Sequence, residues 1–205
     1  MNVLVLHSSY NKARPSGENS VVENEVRVLR TQGHNILFPN TSASKINRHW
    51  LKNLSKNMVC DIPGLRFLCA KASINYLVKN QIQVIHCHNL FPLVDMSILE
   101  AASHLNIPVI YSIHNYRFSC LNGLFYRENH VCTLCSKSNQ PGILYRCYKN
   151  SRFLSRIAAR NQTQYVHHLR RASRILVLNS MTEKLLVSQG VPRSEEHTSE
   201  LQSRQ

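Results

Sequence analysis

The sequence predicts an α/β fold, a parallel β-sheet with helices on both faces, and two observations carry that reading. Val84-Ile85 and Val109-Ile110-Tyr111 are short β-branched and aromatic runs, separated by Met96, Leu99, Ala102 and Leu105 at helical spacing. The result is a strand, helix, strand unit. Each strand then gives way to a polar cluster, His86-Cys87-His88-Asn89 after the first and His114-Asn115-Tyr116 after the second. Ligands of parallel sheets sit outside the carboxyl ends of the strands, so the two His-Asn pairs are expected to face one crevice. By side-chain placement along the strand, His86 is expected to point opposite to His88 and to be structural.

The remaining elements follow in chain order. Asn2 to His7 reads as a buried first strand, and Ser8 to Asn19 as a polar loop holding Pro15 and Gly17. From Ser20 the pattern is helical, with Val21, Val22, Val26 and Leu29 on one face, until Gly33 stops it before a strand at Asn35-Ile36-Leu37-Phe38. A helix amino-terminus presents backbone N–H groups and a positive dipole end, so Ser16-Gly17-Glu18-Asn19 is either a diphosphate-binding loop or an ordinary turn. Asn40 to Ile62 reads as irregular or short-helical, with Trp50 a packing or an acceptor-stacking residue. Pro63-Gly64 starts a helix through Lys79, with Leu65, Leu68, Ala72 and Leu77 inward. Arg174 to Leu178 is the next strand, and Ser180 to Gln189 the next helix, capped by Ser180.

The 205 residues suit one domain with a sizeable core, and 43% hydrophobic residues agree with a globular chain. Net charge is +14, from 25 Lys and Arg against 11 Asp and Glu, which favours phosphate-bearing substrates, anionic lipid or nucleic acid. No apolar run suggests a membrane span or a signal peptide, and the chain is expected to be cytoplasmic. Seven cysteines without a secretory signal argue against a disulfide framework. Cys60, Cys69 and Cys87 have apolar neighbours and read as core thiols.

Cys120, Cys132, Cys135 and Cys147 fall together in a segment, Ser119 to Lys149, that has no sustained period. The Cys132-Thr133-Leu134-Cys135 spacing lets two thiolates of one turn face a tetrahedral ion. A structural zinc site, metal-free reduced thiols and a redox pair all fit. Arg146 to Arg174 contains no acidic residue, and Arg152, Arg156 and Arg160 recur at four-residue spacing. On a helix they form a positive stripe, either a solvated face or a seat on anionic lipid at the inner face of a membrane.

Taken together, these motifs resemble the retaining glycosyltransferases of the two-domain GT-B fold, specifically the large fourth family. Its members similarly carry a His-x-His-Asn-like cluster after one strand, then Pro-Val-Ile, seen here as Pro108-Val109-Ile110, then His-Asn, here His114-Asn115. They also carry a Gly-Gly-Glu-like loop before a helix ending in Gly-His; here Ser16 stands in place of the first glycine, followed by Gly17 and Glu18. A subgroup similarly shows Cys120, Cys132, Cys135 and Arg146-Cys147-Tyr148 followed by Ser151. The resemblance covers Met1 to about Pro192 and implies the Rossmann-like, acceptor-side half of a GT-B fold with a Cys-rich insertion at 119–149.

What the resemblance implies about function is specific. A hexose moves from a nucleotide sugar to a glycan or lipid-linked acceptor with retention of configuration. His114 hydrogen-bonds and orients the donor sugar, Gly17 offers amides to the diphosphate, and Glu18, His88, Asn89 and Asn115 bind substrate. No cofactor is required for catalysis, zinc on the four cysteines is structural, and nucleic acid is not an expected partner. Arg193 to Ser203 resembles a translated sequencing-library adapter, and the donor domain of the family is not expected in the chain, which would leave it inactive alone. Two rivals stand: a basic zinc-knuckle nucleic-acid-binding module, and a non-catalytic sugar-binding subunit.

Overall fold

The computed structural model describes residues 1–9, 16–39, 41–42, 65–90, 94 and 96–192. The segment read as irregular, including Trp50 and Cys60, lies outside these apart from Thr41–Ser42, as does the tail from residue 193. The chain forms two compact units. The first holds Met1–Ser112 with Ala172–Arg174, and the second Ile113–Arg171 with the residues from Ile175 onward.

The expected sheet is present, with helices on both faces in a Rossmann-like arrangement. Strand β1 is Asn2–Leu6, β2 Ser8–Ser9, β3 Asn35–Leu37, β4 Thr41–Ser42, β5 Val84–Cys87, β6 Val109–Ile113, β7 Tyr126–Arg127, β8 His130–Val131 and β9 Arg174–Val177. Five of them form one sheet in the order β3-β1-β5-β6-β9. All three registers along β3-β1-β5-β6 are parallel, with Val5 opposite His86 and His86 opposite Ile110. Ser173 leads β9 in by donating its amide to the Val109 carbonyl at 2.9 Å.

Helix α1 is Gly17–Thr31, α2 Leu65–Lys79, α3 Ser97–His104, α4 Gln140–Leu144, α5 Arg152–Leu169 and α6 Ser180–Ser188. Helix α1 begins at Gly17, three residues before Ser20, where the helical pattern is expected to start, because Ser16 is the last extended residue and the first helical turn needs no apolar side chain. Val22 and Val26 bury against Val3, Val5 and Ile36, with Leu29, Phe38 and Val84 at the margin. Each such valine contributes about 1.5–3 kcal/mol. Val21, expected on that face, is 51% exposed, since it stands one residue off the stripe set by Val22 and Val26.

In α2, Leu77 is fully buried as expected, Ala72 is exposed, and the side chains of Leu65 and Leu68 lie outside the described residues. Helices α2 and α3 pack on one another, with Ser73 Oγ 2.9 Å from Ser97 Oγ. Cys69 is disulfide-bonded rather than a core thiol, whereas Cys87 is a free, fully buried one.

Among the described residues, five helices end in the same way. After α1, α2, α3, α4 and α6 a residue with positive φ closes the helix: Gly33, Gln81, Asn106, Arg146 and Gly190. The next amide reaches back to the helix, as in His34 to the Leu29 carbonyl at 3.1 Å and Ile107 to Ala102 at 2.9 Å. These are Schellman closures, which satisfy carbonyls the helix leaves over and turn the chain toward its next element. At the other end, Ser151 caps α5 by accepting from the Leu154 amide at 3.3 Å. Asn179, not Ser180, caps α6, accepting from the Thr182 amide at 2.9 Å. Asn179 is the extended residue before the helix, which is where a capping oxygen can reach the third amide on.

In the second unit, β7 and β8 form a hairpin whose two-residue turn, Glu128-Asn129, has positive φ at both positions. Helices α4 and α5 pack together, with Gln162 Nε2 donating to the Arg117 carbonyl.

Candidate functional site

The strand order reverses direction beside β1. From β1 the chain crosses through α1 to β3 on one side, then returns past β1 to β5 on the other. The carboxyl ends of β1 and β5 therefore flank a topological switch point, where open α/β sheets bind ligands. The two strand ends are stitched there: the His88 amide donates to the Leu6 carbonyl at 2.9 Å, the Ser8 amide to the Asn89 carbonyl at 2.6 Å, and Ser8 Oγ to the Leu90 carbonyl at 2.8 Å.

Side chains from β1, β5 and α1 meet at this point. His7, 1% exposed, lies with Nε2 2.8 Å from Asn19 Oδ1, and its Nδ1 is 3.9 Å from Glu18 Oε1. Burial lowers the His7 pKa below the usual imidazole range, against the raising influence of the Asn19 hydrogen bond and the Glu23 charge. The His7 ring stands edge-on to His88, centroids 6.1 Å apart. Glu18, His88 and Asn89, three of the expected substrate-binding residues, thus share one locale. Asn89 is buried, and His88 is more deeply buried at 1%.

His86 corrects an expectation. It points to the same side as His88, with ring centroids 4.4 Å apart. Residues two apart on a strand share a face, so the alternation places Val84, His86 and His88 together under α1 and turns Cys87 away. Glu25 of α1 meets both imidazoles, Oε1 2.5 Å from His86 Nδ1 and Oε2 3.5 Å from His88 Nε2. On its other edge His86 places Nε2 2.9 Å from Ser112 Oγ. Among the described residues, Glu25, His86 and His88 form the group whose metal-ligating atoms all lie within 4.8 Å of one another.

Glu25 and Ser112 were not singled out from the sequence, though Glu25 carried a signal. It stands three residues after Val22, a charge at a position turned toward the sheet.

Gly17 is the first residue of α1, and an added Cβ there would meet nothing within 4 Å. His114 and Asn115 follow β6 in the second unit, both half-buried. Asn115 Oδ1 accepts from the Arg117 amide at 3.1 Å, closing the turn after His114.

The four cysteines of the insertion are free thiols. Cys120 donates to Asn122 Oδ1 at 3.0 Å, Cys135 sits on a short 3-10 turn at Leu134–Ser136, and Cys147 follows the Arg146 closure of α4. Burial, followed by the charge of Cys120, raises both the Cys135 and Cys147 thiols, and each also feels Cys132. Unlike Glu25, His86 and His88, the four cysteines do not form a group with all ligand atoms within 4.8 Å of one another among the described residues.

The second unit also contains a cleft of about 310 Å³ with no counterpart among the sequence motifs, lined in part by Cys135, Lys137, Gln162, His167 and Arg170. Arg170 is engaged there, its guanidinium donating to the Gln189 carbonyl at 2.5 Å and 3.0 Å. Among the described residues, no helix is long and apolar enough to cross a membrane.

The family model described as Glycosyltransferase Family 4 matches residues 15–197, most of the chain. The chain belongs to that family. No curated protein and no solved structure matches it. This glycosyltransferase domain has the parallel sheet its sequence predicts, and membership in the family favours a transferase over a nucleic-acid-binding module.

Proposed function

We propose that this domain is the acceptor-side half of a retaining hexosyltransferase that takes a nucleotide sugar as donor and a glycan or lipid-linked sugar as acceptor. The observation that carries the reading is the family match over residues 15–197, on a sheet whose switch point gathers Glu18, His88 and Asn89. The leaving group of such a reaction is a diphosphate, whose growing charge requires preorganised donors. The open amino-terminus of α1 at Gly17 supplies amides of that kind. His114 orients the donor sugar by hydrogen bonding, a contribution through position rather than proton transfer. Glu18, His88, Asn89 and Asn115 bind substrate, as the likeness to the family implies. Zinc held by Cys120, Cys132, Cys135 and Cys147 would be structural, tying the short elements of the insertion together.

The test uses the full-length protein that carries this domain, incubated with a panel of nucleotide sugars and lipid-linked acceptors. Transfer with the product anomer matching the donor, read by NMR, is the expected result. His114→Ala should lower kcat by at least about 100-fold with the fold intact. Hydrolysis or transfer with inversion, or an unchanged kcat in His114→Ala, overturns the corresponding part of the proposal.

A further inference from the structure

We infer that Glu25, His86 and His88 form a mononuclear site for a divalent transition metal of the zinc class, joining the middle of α1 to the carboxyl end of β5. Three ligand atoms from two elements about sixty residues apart in sequence, a carboxylate oxygen and two imidazole nitrogens, all lie within 4.8 Å of one another. Around a tetrahedral ion with bonds near 2.0–2.2 Å, neighbouring ligand atoms lie roughly 3.3 Å apart. Glu25 Oε1 lies 2.5 Å from His86 Nδ1 and Glu25 Oε2 lies 3.5 Å from His88 Nε2, on either side of that value, so the carboxylate reaches the two imidazoles through different oxygens.

The surroundings favour the same assignment. Ser112 Oγ lies 2.9 Å from Nε2 of His86, so Nδ1 is the nitrogen directed at Glu25 and the centre. Such an outer hydrogen bond fixes the tautomer and ring orientation of a metal-bound imidazole. Both rings are buried, His86 at 8% and His88 at 1%, while Glu25 lies at the rim with its side chain 27% exposed. An ion therefore enters from the Glu25 side.

The donor set selects the metal. Two imidazoles with one carboxylate suit zinc and its first-row neighbours, whereas magnesium and calcium take oxygen ligands. Three protein ligands leave a fourth position for water. The alternative occupant of the same geometry is a proton, with Glu25 bridging two imidazoles by hydrogen bonds alone.

The experiment separates the two and does not depend on transferase activity. The full chain, stripped with chelator, is titrated with Co²⁺ and followed by absorption. Nitrogen and oxygen ligation gives visible d–d bands without the near-ultraviolet thiolate charge-transfer band, so any cobalt on the four cysteines is read separately. One equivalent per chain in the thiolate-free class is the expected result. Glu25→Gln should weaken that class by at least about 100-fold, and Ser112→Ala by about 10–100-fold. Zn²⁺ should raise the Tm of the wild-type chain, and this rise should shrink in Glu25→Gln. Glu25 lies on a half-exposed helix position, and circular dichroism establishes that the variant is folded. Absence of the thiolate-free class in the wild type, or its persistence at unchanged affinity in Glu25→Gln, overturns the site and leaves the hydrogen-bonded bridge.

Discussion

Gly17 and Gly142 are both helical glycines, yet the space around them is opposite. A Cβ at Gly142 would come within 2.7 Å of Leu121 Cδ1 and 3.1 Å of Cys135 Sγ. Gly142→Ala should therefore lose about 1–3 kcal/mol to overpacking, more than the ~1 kcal/mol that helix propensity returns, and Tm should fall. At Gly17 the same methyl meets nothing within 4 Å. Gly17→Ala should leave Tm unchanged or slightly raised, yet raise the KM for a nucleotide sugar if a diphosphate rests on that amide. Cys87 offers a third residue-scale test. Fully buried on the face away from the histidines, with burial pushing its thiol pKa far up, it should resist alkylation in the native protein and react only in denaturant, as read by mass spectrometry.

At the scale of elements, the repeated helix closure sets where each following segment starts. A left-handed residue with a Cβ costs on the order of 1 kcal/mol, and asparagine bears it better than most. Gln81→Gly should thus stabilise the chain by about 1 kcal/mol, a Tm rise of roughly 2–4 °C, and Asn106→Gly by less. No rise in Gln81→Gly would mean that the φ of 50° is held by something other than the closure. These joints also explain what could be read in advance. Gly33 announced the end of α1, because glycine is the residue that adopts positive φ without strain. Gln81 and Arg146 adopt it without any compositional mark, so the corresponding turns were illegible. The strands of the sheet were legible to within a residue or two, since β-branched runs between helical periods have few other placements. The insertion was not, because two-residue strands and a five-residue helix are too short to display a period.

Across the whole molecule, charge is the property that reaches beyond any one element. Arg152, Arg156 and Arg160 are all exposed along α5, as the four-residue spacing predicts, in a chain of net charge +14. Phe153, 59% exposed, stands beside the first of them. Basic residues near an anionic bilayer contribute about 1 kcal/mol each. Full-length protein should bind vesicles containing anionic lipid with an affinity that falls steeply with salt, and replacing the three arginines by glutamate should weaken it roughly 100-fold. Equal binding to neutral vesicles, or no effect of the replacements, would assign the stripe to solvent. The site at the switch point was legible only in part. His88 and Asn89 were visible as a cluster following a strand, but Glu25 and Ser112 come from α1 and β6, and their convergence follows from strand order rather than from any local motif.

The placement of His86 and His88 on one face of β5 also limits how the gene can vary. Between Ile82 and His86 the chain counts residues as odd and even, so inserting or deleting a single codon would invert the strand, driving Cys87 under Glu25 and both imidazoles to the opposite face. Substitutions in that stretch change one contact at a time. Composition can drift there, while length cannot.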